Sequence, residues 1–251
     1  MDPKTRRNQI QQIVEENGKV EIDQLTEALQ VSHMTVRRDL ALLEEEQKLI
    51  RTHGGAVLPK ALVKETPYVN KETKELHAKR SIAKESLSLI GHGATILVDS
   101  GTTTFELVRL LKDRDDLTII TNDIKIAAEL VDAKPRCIVT GGEVQSKVGA
   151  LYGAHAYDLL RSIHVDLFIL GAHAVHQNVG VTAPTLEKAK MKQLMIEAAE
   201  QTWLVCDTSK FNEKSFAHVC ELHEVEGIVT DDRLNDEELD LFHQTRLKAP
   251  L

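Results

Sequence analysis

Apolar residues recur at helical spacing from Thr5 to Asn17: Ile10, Ile13 and Val14 share one face, and Gly18 supplies a C-terminal stop. Val20 to Leu29 reads as a short extended stretch followed by a second helix. Glu21 stands there where Ser or Asp would cap better. Ser32 is a good N-cap for a third helix, with Val36, Leu40 and Leu43 as its inward stripe. His33, Met34, Thr35, Arg37 and Arg38 lie off that stripe, and only Gln30-Val31 separates the second helix from Ser32. β-prone runs then flank Gly54-Gly55, which suits a small hairpin ending near Leu58-Pro59.

Two short helices joined by a tight turn, with basic residues exposed on the second, describe a helix-turn-helix. The hairpin that follows makes a wing, which would bring Arg51 and His53 near nucleic-acid phosphate. The expected DNA-contacting set is Ser32, His33, Met34, Thr35, Arg37, Arg38, Arg51 and His53. The alternative for the third helix is an ordinary helix with a solvated arginine pair.

Residues 60–76 change character: Lys, Glu and Thr dominate, Pro67 interrupts, and the stretch reads as a linker. Helical periodicity returns from His77 to Ile90. Beyond Gly91, β runs alternate with helices. The β runs are Ala94–Val98, Leu117–Thr121, Arg136–Val139, Val165–Leu170, Trp203–Cys206 and Gly227–Thr230. Helices are expected at Thr103–Leu111, Ile124–Leu130, Ala154–Leu160, Thr185–Glu200 and Asp236–Phe242. Near-continuous apolar strands alternating with helices imply a parallel sheet covered on both faces. The expected fold is therefore α/β: an N-terminal winged helix-turn-helix (1–59), a linker (60–76) and a C-terminal parallel-sheet α/β sensor domain (77–251).

Composition limits the options. The 251 residues suffice for one small and one larger domain, and 42% hydrophobic content is ordinary for a globular chain. The net charge is −8, and residues 1–60 carry nine Lys/Arg against ten Asp/Glu. A basic coat is excluded, so DNA binding must rest on placement. The basic residues group at Arg6-Arg7, Arg37-Arg38 and Lys48-Arg51, while Glu44-Glu45-Glu46 lies at the far end of the third helix. No apolar run approaches the ~20 residues of a membrane span, and the N-terminus does not read as a secretory signal. Cys137, Cys206 and Cys220 read as reduced thiols of a cytoplasmic protein.

In parallel sheets, ligands bind beyond the carboxyl ends of the strands. Asp99-Ser100-Gly101-Thr102-Thr103-Thr104 stands at the first such end and leads into a helix, where hydroxyls and free N–H groups favour an anion. This is a phosphate cradle without a Walker lysine. The alternative is an ordinary capped turn. Thr121-Asn122-Asp123, Gly141-Gly142, Gly171 with His173, and Lys210 follow other strands, and Lys192 on the long helix could add positive charge. His218-x-Cys220-x-x-His223 lacks a convincing fourth zinc ligand and reads as a buried thiol beside surface histidines. Met191 and Met195 read as core. No cofactor or metal is expected.

Ser32-x-x-Thr35-Val36-Arg37-Arg38-Asp39-Leu40, followed by Arg51-Thr52-His53-Gly54-Gly55-Ala56, resembles the DNA-binding domain of the DeoR family of bacterial transcription regulators. The resemblance continues through Asp-Ser-Gly-Thr-Thr-Thr, Thr-Asn-Asp, Gly-Gly and Asp-x-Ser-Lys-Phe to nearly the end of the chain. It implies a repressor of a sugar-utilisation operon, with double-stranded operator DNA, a phosphorylated sugar or related metabolite, and further copies of itself as partners. It also implies an effector domain similar in fold to ribose-phosphate isomerase, so an isomerase-like enzyme is the rival reading. Those isomerases carry Asp-Gly-Ala-Asp where this chain has Leu170-Gly171-Ala172-His173, and a Glu where it has Lys192. An aldose–ketose isomerase needs a carboxylate base. The resemblance therefore implies a sensor that keeps the phosphate-binding part and lacks the proton-transfer part.

Overall fold

The computed structural model describes residues 2–46, 48–52, 54–57, 65, 67–233 and 246–248. Two compact units emerge: Met1–Lys64 with Asn212–Ser215, and Glu65–Phe211 with Phe216–Leu251.

In the first unit, α1 (Pro3–Asn17), α2 (Ile22–Leu29) and α3 (His33–Glu45) pack with a small sheet of β1 (Lys19–Glu21), β2 (Ile50–Thr52) and β3 (Gly55–Val57). The order β1-β3-β2 is antiparallel throughout. A Cβ on Gly55 would lie 1.8 Å from the Val20 carbonyl oxygen, so only glycine lets β3 close against β1. Ile10, Val14, Leu25, Val36, Leu40, Leu43, Leu49 and Ala56 form the core. Each large aliphatic side chain so buried contributes about 1.5–3 kcal/mol. The weak cap at Glu21 is offset by Gln24, whose side-chain oxygen accepts the Glu21 N–H at 3.2 Å. Gln30, at φ 54, makes the left-handed turn that starts the approach to α3.

The second unit opens with α4 (Tyr68–Glu72), inside the stretch expected to be a linker. Tyr68 is buried and meets Phe105 edge-on at 6.5 Å. Then come α5 (Leu76–Ser86), β4 (Thr95–Val98), α6 (Thr102–Leu111), β5 (Thr118–Thr121), α7 (Ile124–Glu129), β6 (Arg136–Val139) and a hairpin of β7 (Glu143–Val144) and β8 (Leu151–Tyr152). α8 (Ala154–Arg161), β9 (Val165–Gly171), β10 (Ala174–His176), β11 (Gly180–Ala183), α9 (Leu186–Glu197), β12 (Ala199–Val205), β13 (Ala217–Cys220), β14 (Gly227–Val229) and β15 (Arg246–Lys248) follow. The seven-stranded sheet runs β15-β14-β12-β9-β4-β5-β6, parallel at every pairing.

Alternate residues of each strand face opposite layers. Ile96, Val98, Leu167 and Ile169 pack with Ile82, Leu107, Val108, Leu111 and Ile126 from α5, α6 and α7. Leu97, Phe168 and Leu170 pack with Ala156, Leu160, Leu194 and Met195 from α8 and α9. Successive strands run outward from β4 to β6; the chain then returns to β9 on the other side of β4 and runs outward again. The β4/β9 boundary is thus the topological switch point, where such sheets open a ligand crevice.

Sequence periodicity misses three features. The long helix ends at Glu197 and β12 begins at Ala199, although a helix to Glu200 and a strand from Trp203 were expected. Glu200 and Gln201 are exposed and helix-compatible, yet pairing of Ala199 and Gln201 with Val165 and Leu167 makes them strand. The antiparallel sheet β10-β11-β13 and the β7/β8 hairpin use runs of two to four residues, too short to show a period. Gly180 permits the first of these: its φ is +67°, and a Cβ there would lie 2.0 Å from the Cys220 carbonyl oxygen. The helix expected at Asp236–Phe242 lies outside the described residues.

Candidate functional site

Ser32 caps α3 as expected, accepting the Thr35 N–H at 3.3 Å. Its hydroxyl also meets the Thr35 hydroxyl at 3.0 Å, so both side chains serve the helix start. Val36, Leu40 and Leu43 are buried, and so is Asp39, which the hydrophobic pattern does not anticipate. Arg6 donates to Asp39 at 2.5 Å and Arg7 lies 3.9 Å from it. The basic pair at positions 6 and 7 therefore braces α1 against α3. Lys48 pairs with Glu46 at 2.6 Å, and Arg51 approaches Glu44 at 3.9 Å, with its backbone N–H on the same carboxylate at 2.8 Å. The acidic run is thus a partner to the wing.

Arg37 and Arg38 differ from these cations. Both are exposed, and neither pairs with an acidic side chain among the described residues. Met34 beside them is 78% exposed. His33 is exposed and hydrogen-bonds Asp23 at 2.7 Å. His53 lies outside the described residues. The face of α3 carrying Met34, Arg37 and Arg38 therefore presents apolar and cationic groups to solvent, the combination that reads base edges and phosphates.

The switch point of the sheet holds a second constellation. Asp99, at the end of β4, is almost fully buried and accepts the Gly171 N–H from the end of β9 at 3.0 Å. Lys192 reaches down from α9 to hydrogen-bond Asp99, and also donates to the Gly171 carbonyl at 2.8 Å. Its ammonium is thus paired inside the fold, at the wall of the cleft described below. Gly171 leaves room for this: a Cβ there would stand 3.1 Å from the Asp99 carboxylate.

The Ser100–Thr104 loop is likewise partly occupied. The Ser100 N–H donates to Asn122 at 2.9 Å and its hydroxyl to Asp123 at 2.6 Å. Asp123 uses its other oxygen to cap α7, accepting the Lys125 N–H at 2.7 Å. Burial pushes the Asp123 carboxyl above its usual value. Thr104 is buried and donates to the Gly101 carbonyl at 2.9 Å; Thr121 donates to Val98 at 2.8 Å. These hydroxyls hold the loop. The open groups are first-turn N–H groups of α6, at Thr102 and Thr103, which have no intrahelical acceptor. Gly101 has φ 178°, extended backbone that any residue adopts, so its conformation does not require glycine. Gly142 does require it: its φ is +105° and a Cβ would lie 2.3 Å from the Tyr152 carbonyl oxygen. Gly141 and Gly142 thereby serve the turn into the β7/β8 hairpin.

A small cleft opens beside this network, lined by Asp99, Ser100, Asn122, Lys192 and also Leu151, Tyr152, Lys188 and Met191. Sequence reading misses Lys188, although Lys188 and Lys192 stand four apart on one helix face, a spacing that signals shared work. It also gives Met191 to the core; Met191 is buried and lines the cleft.

Lys188 belongs to a cationic cluster. It pairs with Glu65 at 2.6 Å, and Lys71 of α4 donates to the same carboxylate at 2.9 Å. Burial alone would raise the Glu65 pKa, but Lys188 and Lys71 carry it down to about 2. Burial and then Lys188 push Lys71 down. Lys79, buried, donates to the Lys71 and Lys74 carbonyls past the end of α4, and burial takes it to about 8. Lys210 sits on a 3-10 turn after β12 and pairs with no acidic side chain among the described residues. His173 feels four of these groups: burial lowers it to about 4, Glu65 opposes that, and Lys71, Lys188 and Lys210 reinforce it. It is neutral at pH 7. Sequence reading finds His173 and Lys210 but not Glu65, Lys71 or Lys79, which lie in or beside the expected linker.

Elsewhere, Cys220 is buried while His218 is exposed and lies 3.3 Å from Glu221. Among the described residues no helix is long and apolar enough to cross a membrane.

Comparison with known proteins places this geometry. Residues 6–61 match the DeoR-like helix-turn-helix domain, and residues 74–232 match the DeoR C terminal sensor domain. The chain is 33% identical over 235 residues to the HTH-type transcriptional regulator GlpR of Haloferax volcanii, covering 94% of this chain and 92% of that protein. It is 30% identical over 227 residues to the glycerol-3-phosphate regulon repressor of Escherichia coli, covering 90% of each. Among solved structures, ribose 5-phosphate isomerase A from Methanocaldococcus jannaschii aligns over 55% of each chain, with a TM-score of 0.42 and 16% identity.

Proposed function

The chain belongs to the DeoR family of DNA-binding transcription regulators, whose members are not enzymes, and from that premise we propose that it represses a sugar-utilisation operon under control of a small phosphorylated sugar. The observation that carries the effector assignment is the cation cluster of Lys71, Lys188 and Lys210 beside a cleft at the sheet's switch point. A phosphate group there would gain charge-assisted hydrogen bonds from these ammonium groups. The α6 N-terminus, with the Thr102 and Thr103 N–H groups, supplies a second anion-favouring feature. Asp99, Asn122 and Tyr152 supply polar groups for the sugar.

On the DNA side, Arg37 and Arg38 make the base or phosphate contacts, with Met34, Thr35 and the wing residue Arg51 alongside. Specific operator binding by one such unit is weak, so two or more copies act together on a symmetric operator. The effector works by preferring one arrangement of the DNA-binding units. The test is a thermal-shift screen over ribose, fructose and tagatose phosphates and their unphosphorylated sugars. A specific ligand at a hundredfold its Kd stabilises by about 2.7 kcal/mol. No shift from any phosphosugar, or equal shifts from the unphosphorylated sugars, contradicts the proposal.

A further inference from the structure

Glu65 is the residue that begins the second unit, next in sequence to the chain leading from the DNA-binding unit. Its carboxylate does not point to water. It is 15% exposed and sits between Lys188, itself 14% exposed, at 2.6 Å and Lys71 at 2.9 Å. Ammonium groups held this far from solvent need a counter-ion. Lys192 has Asp99 for that purpose, and Lys71 and Lys188 have Glu65.

We propose that Glu65 is an internal stand-in for the effector's anionic group: it fills the Lys71–Lys188 seat when no effector is present, and a phosphate monoester displaces it. This rests on the effector site proposed above and adds how that site is regulated. The charges favour exchange over addition. Lys71, Lys188 and Lys210 outnumber the single negative charge of Glu65, so a dianion settles the cluster better than a carboxylate does. A carboxylate and a phosphate together would place like charges in one seat. Exchange also gives ligand binding a direct effect on the chain. Displacing Glu65 frees a residue three positions before α4, whose first N–H, on Tyr68, is held by the Lys147 carbonyl at 2.9 Å.

The test uses the full chain and inorganic phosphate as probe. Calorimetric titration compares wild type, Glu65→Gln and Lys188→Gln, with sizing and circular dichroism to confirm folding. If Glu65 occupies the seat most of the time, removing its charge tightens phosphate binding by about fivefold or more, and Lys188→Gln abolishes it. Hydrogen exchange of wild type gives a second readout that needs no variant: saturating phosphate speeds exchange at the Tyr68–Glu72 amides. Equal phosphate affinity in wild type and Glu65→Gln, with binding lost in Lys188→Gln, overturns the stand-in role and leaves the site intact. Phosphate binding that is absent throughout, or unchanged in Lys188→Gln, overturns the site and the stand-in together. If Glu65→Gln does not fold, unchanged exchange at Tyr68–Glu72 under saturating phosphate overturns the proposal.

Discussion

In the N-terminal unit, Arg37 and Arg38 stand on an exposed helix face without acidic neighbours, whereas in the sensor unit Lys71, Lys188 and Lys192 each already hold a carboxylate. Exposure explains the difference. A surface guanidinium is solvated by water and needs no partner until DNA arrives. A lysine taken out of water must be paired at once. Under the proposed function, Arg37 and Arg38 would meet DNA without rearrangement, while Lys71 and Lys188 would have to change partners to take a ligand. Arg6, itself largely buried, fits the same rule: its pairing with Asp39 braces α1 against the helix that presents Arg37 and Arg38.

The comparison breaks most visibly at Lys192. Replacing Asp99 by Ala leaves a buried ammonium without its counter-ion, which costs about 3–5 kcal/mol. The double variant Asp99→Ala, Lys192→Met recovers much of that loss. Urea unfolding of both variants checks it, and single and double losses that simply add would show that the pair is not coupled.

The next effect is pH-dependent. His173 takes up its proton at about 4 when folded and at about 6.5 when free. The unfolded chain therefore binds more protons between those values, and stability is complete above about pH 6.5 and falls as pH drops toward 4. The loss is at most about 3 kcal/mol, and less because the ring is partly exposed. Glu65, Lys71, Lys188 and Lys210 all face this group, so denaturation midpoints for wild type and His173→Gln across that window isolate it. Parallel curves would remove His173 from the cluster's electrostatics.

At the DNA face, Arg37→Ala or Arg38→Ala costs about 1–3 kcal/mol if it loses a base contact; a lost phosphate contact instead weakens all sequences and flattens the salt slope. Footprinting on genomic fragments distinguishes the two. Variants that both bind like wild type would show that α3 is not the reading helix.

The smallest expected effect on stability is at Gly101. Its extended backbone accepts a side chain, and a Cβ would stand 3.2 Å from the Thr104 hydroxyl, which can shift. Gly101→Ala should stay folded and bind operator normally while losing phosphosugar response. A full response would place the phosphate at the lysine cluster alone.

The two units also differ in how far their sequences can be read. The winged helix-turn-helix is legible because its signals are local: a capping Ser32, a stripe of Val36, Leu40 and Leu43, and a Gly-Gly turn. The parallel sheet is legible from the alternation of apolar runs with helices. Asp99, Ser100 and Asn122 could be found as polar residues at strand ends, but their bonding could not. A sequence does not distinguish a hydroxyl aimed at a ligand from one held by Asp123. Glu65, Lys71 and Lys79 lie in or beside a stretch whose composition reads as solvated chain. Only the fold brings Glu65 and Lys71 to Lys188 of α9 and to His173. The β10-β11-β13 sheet stays hidden for a related reason, since its order lies in pairing between distant short runs.

The central claim is that a phosphorylated small molecule at the lysine cluster governs operator binding. The most direct measurement is an operator titration of the wild type and Lys188→Gln with each phosphosugar of the panel. The account predicts that at least one phosphosugar weakens wild-type operator binding by about tenfold or more, a coupling of about 1.4 kcal/mol. It also predicts that the same compound leaves Lys188→Gln bound as tightly as in its absence. A phosphosugar that releases wild type and Lys188→Gln equally would contradict it.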